Sequence, residues 1–266
     1  MPRKTVGVVG RGYVGGAVAG GLAPISDVVV HDIAEPGSAT IERVAGCDVV
    51  FVCVPTPAMP CGGADVSAVR SVIGALEHLA SGAVVVIKST VPPGTTEQLA
   101  VAYPRLAICC SPEFLRERSA AADFAAPARV IVGVPRGSAP QRHAPACELL
   151  RERFAGVPQL VMEATSAEML KYASNAFFAV KVSFANELCE LAQRLGIDWE
   201  PIRAALALDP RVGADHLQVP GPDGAPGYGG RCLPKDVSAL LQLAEAAGGQ
   251  LPVVASAAAA NRKRRG

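Results

Sequence analysis

The sequence has almost no net charge. Its 25 basic and 24 acidic side chains leave +1 over 266 residues. A basic field strong enough for non-specific nucleic-acid binding is excluded at that balance. Half of the residues are hydrophobic, so the composition also excludes disorder. Aromatic residues are scarce, at 5%. No apolar run reaches the roughly 18 residues that a membrane helix needs. The N-terminal Met1-Pro2-Arg3-Lys4 leads straight into a strand-like segment and does not read as a signal peptide. None of the eight cysteines shows the Cys-x-x-Cys spacing of a metal site. They read as thiols of a reducing compartment, the cytoplasm, and mostly as packing residues. Internal repeats and low-complexity linkers are missing too.

What the sequence does have is a rhythm. Short Val-rich runs at Val6–Val9, Val28–His31, Val49–Val54, Val84–Lys88, Arg105–Cys110 and Arg129–Val132 alternate with Gly- and Ala-rich helical stretches. Continuous β-branched runs suit strands buried on both faces, and their alternation with helices predicts βαβ units. The pattern changes near residue 165. Thr165-Ser166-Ala167-Glu168 has the spacing of a capping box. A long helix follows, with Leu170, Ala173, Phe177, Val180, Phe184, Leu188, Leu191 and Leu195 on one stripe. Tyr172, Phe178 and Val182 lie off that stripe, which predicts a helix buried between partners. The expected fold is α/β: a Rossmann-like parallel sheet over residues 1–163, then an all-helical dimerisation domain over 164–266. The closing Asn261-Arg262-Lys263-Arg264-Arg265-Gly266 reads as a solvated helix end.

Two segments carry chemistry. Gly10-Arg11-Gly12-Tyr13-Val14-Gly15 is G-x-G-x-x-G between a strand and a helix. Such a turn lets backbone and helix N-terminus approach a pyrophosphate. Asp32 ends the next strand, 17 residues after Gly15. An acid there bonds the ribose hydroxyls and repels a 2′-phosphate, which favours NAD over NADP. The second segment is Gly227-Tyr228-Gly229-Gly230-Arg231-Cys232-Leu233-Pro234-Lys235-Asp236. Cys232 falls near a helix N-terminus, and Asp236 lies one turn on. A thiol beside a base is an arrangement for covalent catalysis, although a single cysteine taken alone is more often core filler. Cys47, Cys53, Cys61, Cys109, Cys110, Cys147 and Cys189 are read as filler. Lys171 and Asn175 sit four apart on a helix face built for burial, where a lysine is costly unless paired or functional; a snorkelling Lys171 and a satisfied core Asn175 would explain them equally well. Glu113 and Glu117 are also four apart, and the alternative to a functional role is a solvated helix face paired with Arg116 or Arg118.

Together these motifs resemble the UDP-glucose/GDP-mannose dehydrogenase family. Matching segments run in order: the glycine loop, Val54-Pro55-Thr56-Pro57, Ser89 to Thr96, Ser111 to Glu117, and Gly229 to Asp236. The resemblance implies oxidation of a nucleotide-sugar primary alcohol to a carboxylate with two NAD. It implies Cys232 as the nucleophile, with Lys171 and Asn175 at the oxyanion. Asp236 and Thr90 would activate water, and Glu113 would serve acid–base or thioester chemistry. Gly10, Gly12, Tyr13, Val14, Gly15, Asp32, Pro55, Thr56, Thr90 and Glu117 would contact the cofactor. Phe114, Leu115, Tyr228 and Gly229 would contact the sugar together with Lys171 and Asn175. Arg211 would reach it across a homodimer interface formed by the long helix. No metal, membrane or nucleic acid enters this picture.

The sequence departs from the family twice. The stretch from Asp32 to Asp48 is short for the helical hairpin usual after the second strand. Family members also continue past the helix that ends here into a second Rossmann-like domain holding much of the nucleotide-diphosphate site. The substrate is therefore expected to be a nucleotide sugar, a smaller phosphorylated alcohol, or one completed by a partner. Two other readings stand beside this one: a two-electron dehydrogenase resembling the short β-hydroxyacid enzymes, and a non-catalytic NAD-binding partner subunit.

Overall fold

Valine builds the strands of the first unit. The structure is a computed structural model that describes residues 3–79 and 81–266. In β3 (Val49–Val52) all four residues are buried, and alternate side chains enter different cores. Val49 and Phe51 pack with Val6, Val8, Val18 and Leu22, whereas Val50 and Val52 pack with Ile73, Leu76 and Leu99. That is the two-sided burial expected of a central strand under helices.

The sheet has seven strands in the order β2-β1-β3-β4-β5-β6-β7. They are β1 (Lys4–Val9), β2 (Ser26–His31), β3, β4 (Val84–Ile87), β5 (Ala107–Cys110), β6 (Val130–Val134) and β7 (Gln159–Glu163). The first five pair in parallel, in register Val6↔Val28, Val6↔Val49, Val49↔Val84 and Val84↔Ala107. The expected parallel sheet is found, with one antiparallel pairing, between β5 and β6 through Cys110↔Gly133. Strand β7, parallel to β6, is the one the sequence pattern missed. It is an edge strand with Leu160 and Val161 exposed, so it shows neither a continuous buried run nor clean alternation. The helices of this unit are α1 (Tyr13–Leu22), α2 (Ile41–Ala45), α3 (Ser67–His78), α4 (Thr95–Ala102), α5 (Ala120–Ala125) and α6 (Ala144–Arg153). Only the five-residue α2 lies between Asp32 and Asp48.

The long helix is α7 (Ala164–Arg194). Contacts divide the chain within it. One compact unit comprises the chain up to Pro57 and Asp65–Lys171, and the other comprises Ala58–Ala64 and Tyr172–Gly266. The second unit adds α8 (Trp199–Leu208), α9 (Leu233–Ala246) and α10 (Pro252–Arg265). Its core consists of small clusters, such as Tyr172 and Ala176 with Ala239 and Leu240. The heptad-like stripe read from the sequence is not the buried face. Phe177, Phe184, Leu191 and Leu195 are each more than half exposed, while the off-stripe Tyr172 is fully buried. Among the described residues, no helix is long and apolar enough to cross a membrane.

Two local expectations are corrected. Helix α7 begins at Ala164, so Thr165 lies inside it and closes no capping box with Glu168. The buried Glu168 instead caps α4. It accepts from Gly94 N at 2.6 Å, Thr96 N at 2.8 Å and Thr96 Oγ1 at 2.6 Å. The free N–H groups of a helix start are strong donors, and a nearby buried carboxylate is drawn to them. The tail of α10 is a solvated end only in part, since Arg262 and Lys263 are exposed but their neighbours are not. Asn261 is buried, Arg264 pairs with Glu190 and Arg265 pairs with Asp223.

Replacing Glu168 by alanine leaves three donors without this acceptor. Glu168→Ala is expected to lower stability by about 2–3 kcal/mol in urea unfolding, with an unchanged m-value. A loss below about 0.5 kcal/mol would contradict the cap.

Candidate active site

Five parallel strands end on one rim, and the loops leaving that rim hold the candidate residues of the first unit. In open α/β sheets ligands bind at the carboxyl ends of strands, where strand order reverses. Here the reversal lies between β1 and β3, and the glycine loop leaves β1 at that point. Gly15 packs so tightly under the turn that a Cβ there would sit 1.8 Å from the Gly10 carbonyl oxygen. A Cβ on Gly12, by contrast, would meet nothing within 4 Å. Gly12 is the N-cap of α1, and no side-chain cap bond is made there; helix starts of this kind suit an anion. Asp32 Oδ2 accepts from Arg11 N at 2.5 Å, and Asp32 Oδ1 accepts from Ala34 N at 2.8 Å. These bonds hold the Asp32 carboxyl below its ordinary range. A closed turn, an open helix start and an ionised acid at the second strand end fit a dinucleotide with an unmodified ribose.

The next loops are tied together. Thr56 Oγ1 donates to the Thr90 carbonyl at 2.8 Å, and Ser89 Oγ donates to the Val54 carbonyl at 2.7 Å. Thr90 is half-buried and Pro55 exposed. Beyond β5 the chain is not helical at Glu113, so the solvated-helix explanation of Glu113 and Glu117 does not hold. Glu113 is buried and pairs with Lys171 Nζ at 3.0 Å, while its other oxygen accepts from Leu115 N at 2.5 Å. Glu117 opens an exposed 3-10 turn, Glu117–Ser119. Arg116 pairs with Asp123. Lys171 also lies 5.6 Å from the centre of the Phe114 ring.

A second buried lysine was missed. Lys88 ends the β4 run, is 7% exposed, and lies 3.2 Å from Ser111 Oγ. Burial pulls its ammonium below the usual lysine range, whereas Glu113 pulls it back up. The sequence signal was a lysine closing an otherwise apolar strand. The neighbouring Cys53 is sealed in, and burial pushes its thiol up to about 12. It fits the reading as filler, as do the buried Cys109 and Cys110. Cys61 does not, because it is exposed.

In the second unit, Cys232 is the N-cap of α9 and is half-buried. The Asp236 N–H donates to the Cys232 carbonyl at 2.9 Å, closing the first turn. Asp236 is 1% exposed. Its Oδ2 accepts from Asn175 Nδ2 at 2.6 Å, and its Oδ1 is paired with Lys235 Nζ. The sequence reading had not singled out Lys235, although it lies inside the quoted motif. Arg211 stands apart. Its side chain is 88% exposed and bonded to Asp209. The Tyr228 ring is buried with Ala179, Val182, Val237 and Ala258, and Gly229 is half-buried beside it.

Comparison with known proteins follows the same division. Residues 36–145 match the model described as "UDP-glucose/GDP-mannose dehydrogenase family, NAD binding domain", and residues 165–263 match that family's central domain. A solved UDP-glucose dehydrogenase from Pyrobaculum islandicum is 33% identical, with a TM-score of 0.86, over 98% of this chain and 68% of that one. The chain belongs to the UDP-glucose/GDP-mannose dehydrogenase family. Its first unit is a NAD-binding domain, and NAD is the cofactor that the glycine loop and Asp32 fit. Curated family members include the UDP-glucose 6-dehydrogenases of Rickettsia conorii, 35% identical over 76% of this chain and 46% of that protein, and of Pseudomonas aeruginosa, 37% identical over 84% and 50%. The chain thus spans about half the length of these curated relatives.

The Glu113–Lys171 pair is open to a direct test. Glu113→Ala strands a buried ammonium and is expected to cost about 3–5 kcal/mol. Combining Glu113→Leu with Lys171→Met removes both charges and is expected to recover most of that loss in denaturant titrations. A double variant no more stable than the single one would refute the pairing.

Proposed function

We propose that the chain catalyses a four-electron oxidation of a primary alcohol to a carboxylate. The substrate is a nucleotide sugar or a smaller phosphorylated relative. The observation that carries this reading is Cys232 at the N-cap of α9, one turn before a buried Asp236 bonded to Asn175. Bound NAD accepts a hydride at each of the two oxidations, one cofactor per step.

The protein's residues divide the remaining work. At the first oxidation the alcohol proton passes to a base on the chain, and the aldehyde forms. The Cys232 sulfur then adds to the aldehyde carbon, giving a thiohemiacetal. Lys171 and the Asn175 amide stabilise the oxygen as charge develops on it. The second oxidation leaves a thioester on Cys232. Asp236, with Thr90, directs a water to that thioester, and the C–S bond breaks to release acid and thiol. Glu113 holds Lys171 and serves proton transfer. Lys235 orients Asp236. Tyr13, Val14, Pro55, Thr56 and Glu117 complete the cofactor contacts. Phe114, Leu115, Tyr228 and Gly229 contribute to the sugar site. The thiol must stay reduced, which suits the cytoplasm.

The working form is a homodimer. The exposed stripe of Phe177, Phe184, Leu191 and Leu195 on α7 supports a second copy as its cover. One self-complementary helix face meets its own copy about a two-fold axis. Arg211, exposed and bonded to Asp209, reaches the partner's substrate in this reading.

The reaction is tested by NADH yield and product mass across nucleotide sugars, sugar phosphates and nucleoside monophosphates. Two NADH per carboxylate are expected, with no acid from Cys232→Ala. One NADH per product, with activity kept in that variant, would leave a two-electron enzyme. NAD binding without turnover on any alcohol would leave a non-catalytic subunit. For the dimer, Phe184→Glu is expected to give monomers in light scattering at concentrations where the parent is dimeric. An unchanged mass would exclude this face.

A further inference from the structure

The segment that delivers Cys232 has no regular secondary structure from Val219 to Arg231, yet part of its backbone is deeply buried. Gly227 and Tyr228 are both buried, five and four residues before the thiol. Buried peptide groups need partners, and no strand or helix supplies them here. Two asparagines do. Asn186 on α7 is 1% exposed, and its Oδ1 accepts from Gly227 N at 2.8 Å. Its amide nitrogen is turned back to the Val182 carbonyl at 2.8 Å, which fixes the side chain's orientation. Asn261 on α10 is 7% exposed. Its Oδ1 accepts from Tyr228 N at 2.7 Å, and its Nδ2 donates to the Tyr228 carbonyl at 2.9 Å. One side-chain amide thus satisfies both peptide groups of Tyr228, as a neighbouring strand would.

The fit leaves no slack. Gly227 has φ +76°, and a Cβ there would stand 2.4 Å from Asn261 Oδ1. One turn further along α10, Arg265 donates to the Gly227 carbonyl at 3.0 Å and pairs with Asp223 at 2.6 Å. The Tyr228 ring, packed on Val182 and Ala258, anchors the same residue from its other end.

We infer that Asn186 and Asn261 are positioning residues for Cys232, clamping the backbone of Gly227 and Tyr228 so that the thiol is presented in one place. Neither side chain touches the reacting atoms. They act through the loop, because a nucleophile displaced by about 1 Å can lose two orders of magnitude in rate. This inference rests on the reading of Cys232 as nucleophile, and its test is built to fail separately from that reading.

The test is Asn261→Asp. That variant keeps the acceptor for Tyr228 N but sets a second acceptor against the Tyr228 carbonyl. Hydrogen exchange by mass spectrometry on the full chain reads the clamp without turnover. Exchange is expected to rise at least tenfold over residues 222–232 and to stay at the parent rate in the α7 and α9 peptides. In turnover assays, kcat is expected to fall about tenfold or more with NAD affinity unchanged. Parent-like exchange over 222–232 would overturn the inference, as would a loosened loop with parent-like kcat. If the parent turns over no alcohol, that failure belongs to the reading of Cys232, and the exchange result still decides the clamp. If Asn261→Asp does not fold, the parent decides. The Gly227 and Tyr228 amides must then exchange as slowly as the core of α9, and open-loop rates there would overturn the inference.

Discussion

A row of buried polar side chains along α7 is the constraint on which the rest depends. Glu168, Lys171, Asn175, Ser183 and Asn186 are all buried on a helix whose neighbouring buried positions are largely alanine. Each polar group loses its water and must find a partner, because an unmet buried donor or acceptor costs more than a typical hydrogen bond contributes. Each finds one on a different element. Glu168 takes the start of α4, Lys171 takes Glu113, and Asn175 takes Asp236. Ser183 donates to the Ala257 carbonyl, and Asn186 takes Gly227. Along one helix, polar burial specifies which loop goes where, while small alanines allow close approach.

The same requirement bears on the groups that the proposed reaction uses. Lys171 is paired with Glu113, and Asp236 is held between an amide and Lys235. Under burial, charge acts most strongly on a reacting centre. Cys232 itself is less buried and takes its place from the helix it starts. The covalent chemistry proposed above would therefore use side chains already constrained for structural reasons.

Some of this was legible in the sequence because it is local. Strand runs, the glycine turn, the acid closing β2 and the Cys232–Asp236 spacing each depend on neighbours within a few residues. The Lys171–Asn175 spacing showed that one face of α7 carried polar groups meant for burial. It did not show with what. The partner of Asn175 is 61 residues away, that of Lys171 is 58 residues before it, and those of Glu168 are more than 70 before it. The capping-box reading of Glu168 failed for that reason. A local partner was available on paper, but the helix began earlier and a distant helix start offered three donors.

The stripe on α7 shows the same division. Its three- and four-residue spacing correctly implied a helix with an apolar face. Spacing carries no sign of direction, and the folded chain turns that face outward while burying Tyr172 on another. The α10 tail is the converse case: four basic residues in a row suggested solvent, and tertiary contacts gave two of them carboxylate partners. The sequence by itself determined the family, the cofactor loop and the residues able to do chemistry, because short-range geometry writes those directly into spacing. Only the tertiary structure decided which buried group meets which, because that depends on contacts between segments that no local period encodes.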